Sequence, residues 1–304
     1  MPPTHIRDIM NQTIIDPVKY SIMDPTGNVT ALVESPVGLS MQPDVADRIM
    51  KKHPEVEQAG FLFFEPDPDG SCRPSLRMAG GEFCGNASMC AAALYMLRSQ
   101  TDGAGNAAAS SMFSDPDGFL HVFLTVSGAE HPVEVRLKKD ERGIWHCGVK
   151  MPGALEITPM ELDNEGVHAA LPLVRMEGIS HIIIEPSSPF FALLENRRAA
   201  EQTVRNWCRE LSAAGLGLMF LEQGTTGSTL TPLVYVPGSG TVFWENSCAS
   251  GTSAAGMYLA DKKNKTIDLT MKEPGGYLRV ISDPTANETW LHGTTEWKGE
   301  FELC

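Results

Sequence analysis

Apolar positions along this chain alternate between a spacing of two and a spacing near 3.6. Runs at 19–23, 29–33, 60–64, 119–126 and 132–137 are short and rich in β-branched and aromatic residues, and they read as strands. Turn residues separate them: Asp24-Pro25-Thr26-Gly27-Asn28, the stretch 66–70, and Ser127-Gly128-Ala129-Glu130. Strand-like runs resume at 144–149, 181–185, 216–221, 232–236, 267–271, 277–281, 289–292 and 298–303. Two segments are amphipathic helices: 44–52, with Val45, Ile49 and Met50 on one face, and 196–211, with Val204, Trp207, Cys208 and Leu211. Two more helices, at 85–98 and from about 249 onward, are rich in alanine and glycine. A helix so poor in bulky polar residues is buried on most faces. Each half of the chain therefore carries strands on both sides of one buried helix. The pattern predicts an α+β fold: a mixed sheet or barrel wrapped around a central helix, used twice. The Gly/Ala/Ser stretch 101–111 reads as an exposed loop, and the charged turn 138–143 as the boundary between the halves.

Each buried helix opens on a cysteine. The first frame is Glu82-Phe83-Cys84-Gly85-Asn86-Ala87-Ser88; the second is Glu245-Asn246-Ser247-Cys248-Ala249-Ser250-Gly251-Thr252. In both, an acidic residue precedes the cysteine, tiny and polar residues follow, and a tyrosine (Tyr95, Tyr258) lies further along the helix.

The totals narrow the setting of these thiols. The 304 residues carry 24 basic and 38 acidic side chains, a formal charge of −14. That balance argues against nucleic acid or an anionic membrane as partner and suits a cytoplasmic protein. No apolar run is long enough to span a bilayer, and residues 1–8 lack the apolar stretch of a signal peptide. Seven cysteines without an export signal make reduced thiols the default. Buried cysteines are usually inert hydrophobes, the reading given to Cys72, Cys90, Cys147, Cys208 and Cys304. The repeated frame separates Cys84 and Cys248 from that group. No Cys-x-x-Cys or His-x-x-x-His spacing points to a metal, and no glycine-rich loop of the usual form points to a nucleotide cofactor.

A helix N-terminus presents N–H groups and partial positive charge. A cysteine just before it gains thiolate character, and the same N–H groups bind a carboxylate. Two such ends serving one substrate supply what proton removal from an amino-acid α-carbon needs. A thiolate takes the proton from one face, a thiol returns one on the other, and N–H donors hold the carboxylate as charge grows. Small residues at Gly85, Ala87, Ala249 and Gly251 let that carboxylate approach the backbone.

Cys84-Gly85-Asn86 with Cys90 six positions on, and Cys248-Ala249-Ser250-Gly251, resemble the two cysteine motifs of the diaminopimelate epimerase-like superfamily of cofactor-independent racemases and epimerases. Gly27-Asn28 resembles its N-terminal Gly-Asn turn, and Leu291-His292-Gly293 and Gly299-Glu300-Phe301 its closing strands. The resemblance implies two similar domains with the active site between them: 1–140 with Cys84, joined by a returning strand at 290–304, and 141–289 with Cys248. It implies Cys84 and Cys248 as catalytic bases and Asn28, Gly85, Asn86, Ala249, Ser250 and Gly251 as substrate contacts. It also implies a homodimer that uses neither cofactor nor metal.

The chain departs from diaminopimelate epimerases proper. The stretch 237–244 lacks the Glu-Arg pair that holds the distal end of their substrate, and Phe243 and Trp244 suggest a flatter, less charged side chain. Near Ser180-His181 the family's Asn-Pro-His segment is matched at the histidine alone. The chain looks closer to the branch that includes the histidine racemases of metallophore biosynthesis. The alternatives are a diaminopimelate epimerase and a non-racemising isomerase of the phenazine-biosynthesis type.

Overall fold

The computed structural model describes residues 17–66, 72–101, 113–225, 227–238 and 240–303. The N-terminal segment 1–8, most of the turn 66–70 and of the loop 101–111, and Cys304 lie outside the described residues. The chain divides into two compact units, Met1–Val149 with Thr294–Cys304, and Lys150–Gly293.

In the first unit, β1 (Val18–Asp24) and β2 (Thr30–Val33) form an antiparallel pair. Helix α1 (Gln42–Lys52) follows. Next come β3 (Gln58–Pro66) and β4 (Cys72–Met78), again antiparallel, then helix α2 (Gly85–Thr101). The short β5 (Phe113–Ser114), then β6 (Leu120–Val126), β7 (Val133–Lys139) and β8 (Trp145–Met151) complete the series. β2 and β3 are parallel, as are β4 and β6. Parallel neighbours need a crossover connection. α1 supplies the first and α2 the second.

The second unit opens with β9 (Glu156–Asn164) and repeats the scheme. β10 (Val167–Met176) and β11 (Ile179–Ile184) are antiparallel, and α3 (Arg197–Glu210) follows. β12 (Leu216–Gly224) and β13 (Gly227–Val236) are antiparallel; β14 (Thr241–Trp244) and α4 (Ala249–Lys263) come next. β15 (Ile267–Glu273) and β16 (Gly276–Asp283) form the third pair. β11–β12 and β13–β15 are the parallel neighbours. Each unit is thus three antiparallel pairs joined by two helical crossovers, and in each the second crossover carries the cysteine. The last strand, β17 (Glu288–Leu303), pairs with β16 through 288–292 and with β1 through 296–303.

Sequence explains which helix is which. α1 and α3 each bury one stripe. Val45 and Ile49 pack with Tyr20, Val33 and Phe61, while Val204 and Trp207 pack with Leu173, Ile182, Leu218 and Phe220. α2 is buried from Gly85 to Met96 and α4 from Gly251 to Ala260, without a polar face. β12 shows the consequence. Leu216 to Leu221 are buried without interruption because one face meets α3 and the other α4.

Candidate active site

Cys84 and Cys248 occupy the same position in their helices, the residue before the first turn, and they make the same contacts with their own helix. Ala87 N donates to Cys84 Sγ at 3.4 Å, and Gly251 N donates to Cys248 Sγ at 3.3 Å. Cys84 O accepts from Ser88 N (3.0 Å) and Ser88 Oγ (2.7 Å). Cys248 O accepts from Thr252 N and from Thr252 Oγ1, both at 2.8 Å. Each sulfur therefore caps its own helix through the third residue, and a hydroxyl four residues on ties down the cysteine carbonyl. An N–H aimed at sulfur favours the thiolate, as does the helix terminus. The hydroxyl four residues after each cysteine, Ser88 and Thr252, is a mark of this cap that is legible in the sequence.

The surroundings differ. In the first unit a neutral amide network supports a half-buried thiol. Cys84 Sγ donates to Gln58 Oε1 at 3.1 Å. Gln58 Nε2 donates to Asn28 Oδ1 (2.6 Å) and Thr30 Oγ1 (2.8 Å). Asn86 Nδ2 also donates to Asn28 Oδ1 (3.2 Å), and Asn28 Nδ2 donates to Glu57 Oε2 (2.6 Å). Asn28 is 3% exposed and Asn86 1%. Asn28, Asn86 and Cys84 are thus brought together, with the Asn28 side chain committed to protein partners. Gln58 and Glu57 were missed in the sequence. They reach this place because β2 and β3 run parallel with Thr30 opposite Gln58.

In the second unit Cys248 is 4% exposed and sits among acids. Burial, followed by the nearby Glu245, pushes its thiol well above the usual range. Cys248 N donates to Glu273 Oε2 at 2.7 Å, and Glu273 Oε1 lies against the Thr252 hydroxyl. Burial pushes Glu273 up to about 8, opposed by its Thr252 and Cys248 hydrogen bonds. Ser250 Oγ is 3.6 Å from Cys248 Sγ.

Gly251 stands where a Cβ would collide with Met219 Sδ and come within 3.1 Å of Cys248 Sγ. Its missing side chain makes room for packing as well as for any ligand. Behind Met219, His181 is fully buried, neither ring nitrogen has a hydrogen-bond partner, and burial pushes it down to about 3. It is a neutral imidazole at ordinary pH.

The reading of Trp244 as a shaper of the substrate side needs correction. Its ring stacks on Phe220 (6.0 Å between centroids), lies under Arg197 (5.0 Å) and donates from Nε1 to Glu201 at 3.0 Å. It anchors β14 to α3. Cys90, Cys147 and Cys208 are buried, and burial raises each thiol, which fits packing roles. Among the described residues no group of three or more His, Cys, Asp or Glu could hold a metal ion, and no helix is long and apolar enough to cross a membrane.

Comparison with known proteins places the chain as a whole. A family model described as the histidine racemase CntK N-terminal domain matches residues 17–292. A histidine racemase of Fusobacterium nucleatum subsp. nucleatum is 28% identical over 289 residues, covering 92% of this chain and 95% of that protein. A histidine racemase of Staphylococcus aureus is 29% identical, covering 90% of each. Among solved structures, a hydroxyproline epimerase from Agrobacterium vitis superposes with a TM-score of 0.63 at 10% identity, covering 94% of this chain and 91% of that one. A phenazine biosynthesis protein of the PhzF family from Bacillus anthracis gives 0.57 at 12%, covering 95% and 100%. At such identities these two likenesses show the fold alone. The chain belongs to the CntK histidine racemase family and is an isomerase of the racemase and epimerase class.

Proposed function

We propose that this protein is a cofactor-independent histidine racemase in which Cys84 and Cys248 are the two bases. The observation that carries the reading is the repeated cap: two thiols, each accepting an N–H from the third residue of a buried helix. The relatives' substrate supports histidine.

In the proposed reaction one cysteine, as thiolate, removes the α-proton, and the electron pair spreads into the substrate carboxylate. N–H groups of the first helical turns, at Gly85, Asn86, Ala249 and Ser250, hold that carboxylate. Donors aimed at developing charge are worth roughly 3–4 kcal/mol each. The other cysteine, as thiol, delivers its proton to the opposite face and ends as thiolate. Asn28 holds Asn86 in place through its Oδ1. The domains as read from the sequence, the cytoplasmic setting and the homodimer belong to the same proposal; sedimentation at twice the chain mass tests the dimer.

The decisive experiment is incubation of L-histidine with the protein in deuterium oxide. Solvent deuterium should replace the α-proton, seen by NMR, and D-histidine should accumulate. Cys84→Ser and Cys248→Ser should each lower the rate by about 10²–10⁴-fold, the usual worth of a positioned acid or base. Full racemisation by either variant sinks the two-base scheme. Exchange confined to diaminopimelate in a parallel panel overturns the substrate.

A further inference from the structure

Glu273 closes β15 in the inward phase of that strand and is 2% exposed. One carboxyl oxygen accepts the Cys248 N–H, and the other touches the Thr252 hydroxyl. That hydroxyl also lies 2.8 Å from the Cys248 carbonyl. A hydroxyl has one proton, whereas a backbone carbonyl and an ionised carboxylate can only accept. Thr252 cannot donate to both. All contacts are satisfied at once if Glu273 carries a proton: its O–H donates to Thr252 Oγ1, Thr252 donates to the Cys248 carbonyl, and the remaining Glu273 oxygen accepts the Cys248 N–H. Repulsion from Glu245 favours the same state, and burial favours it more.

We propose that Glu273 is a positioning residue for Cys248, a neutral carboxylic acid whose hydroxyl closes a hydrogen-bond chain through Thr252 and fixes the turn that carries the thiol. Its catalytic meaning rests on the two-thiol reading above. Held neutral, Glu273 fixes the backbone of Cys248 on both sides without placing a full negative charge beside a sulfur that must itself become anionic. The groups facing Cys248 are Glu273 from β15, Glu245 from the preceding segment, Ser250 and Thr252 from α4, Met219 from β12 and, behind it, the neutral His181 from β11. Ionisation of Glu273 puts a charge into this group, breaks the chain at Thr252 and holds back the Cys248 thiolate.

The test uses the full chain. At pH 7 the infrared spectrum should show a protonated-carboxyl stretch that Glu273→Gln removes; subtraction is needed because burial also raises Glu82. The band should titrate away near pH 8. Glutamine reproduces the neutral acid, with its amide N–H donating to Thr252. Glu273→Gln should keep amide-exchange protection at Cys248 and Thr252 within about threefold, whereas Glu273→Ala should lose it more than tenfold. Above pH 8, alkylation of Cys248 should run about tenfold faster in Glu273→Gln, equivalent to one pK unit. Should the alanine variant not fold, Thr252→Val should lose the protection and Thr252→Ser should restore it. Absence of the band, or Cys248 alkylation unchanged in Glu273→Gln, overturns the assignment. None of these readouts needs turnover. If both cysteine variants racemise normally, the two-thiol reading falls while Glu273 is judged separately.

Discussion

Two buried titratable residues near Cys248 give opposite pH dependences to stability. Glu273 is raised from 4.5 to about 8. The folded chain keeps a proton that the unfolded chain loses, so its contribution is full below pH 4.5 and is lost as pH rises through about 8. His181 is lowered from 6.5 to about 3. There the unfolded chain takes a proton that the folded chain refuses, so stability falls as pH drops below about 6.5. Thermal melts across pH should show Glu273→Gln flattening the decline between about 4.5 and 8, a span worth on the order of a few kcal/mol. His181→Leu should flatten the acid side instead. An unchanged slope between about pH 4.5 and 8 in Glu273→Gln would refute the first. Gly251 gives a packing test at the same scale. Gly251→Ala puts a methyl against Met219 and the thiol, and overpacking of this kind costs about 1–3 kcal/mol. Adding Met219→Ala should recover part of that loss, because contacting residues couple. Additive losses, measured by denaturant titration, would show that Met219 is not the obstacle.

At the scale of elements, the sequence located the chemistry better than its support. α2 and α4 were visible because a helix buried on every face needs no polar stripe, and the cysteines mark their starts. The crossover helices α1 and α3 were visible because each buries only one stripe. Gln58 was not visible. It lies 26 residues before Cys84, and the two meet only because β3 and β4 pair antiparallel and return the chain past Gln58. Glu273 is marked by its phase: in Ile267–Glu273 it falls in step with Ile267, Leu269 and Met271, where a charged residue is out of place. Trp244 is ambiguous in sequence because an aromatic near a cysteine can line a site or pack, and here its ring meets Arg197 and Glu201 of α3. The Gln58 contact is testable in isolation. Its amide oxygen accepts the Cys84 S–H, which stabilises the protonated thiol. Gln58→Leu should therefore speed alkylation of Cys84 severalfold near neutral pH and leave Cys248 unchanged. Equal labelling of Cys84 in both proteins would mean that the contact does not bear on the thiol.

For the whole molecule, the near-repeat of topology with unequal thiol surroundings carries a kinetic consequence. Under the proposed two-thiol scheme, thiol and thiolate exchange places after each inversion, so L- and D-histidine would bind two forms of the enzyme that differ in where the proton sits. Those forms are not equivalent: Cys84 borders a neutral amide, while Cys248 borders Glu273 and Glu245. Yet the equilibrium constant for racemising a single stereocentre is unity, which forces kcat/KM to be equal for the two enantiomers at every pH. The asymmetry must therefore appear in kcat and KM separately, in the same ratio, with the more weakly held enantiomer also turning over faster. That ratio should drift as pH passes through about 8, where Glu273 ionises, and the drift should shrink in Glu273→Gln. Initial rates measured from pure L- and pure D-histidine across pH give all four constants. A ratio of kcat/KM that departs from one would show that the product is not the mirror image of the substrate, as for a substrate with a second stereocentre, and would move the chain from racemase to epimerase.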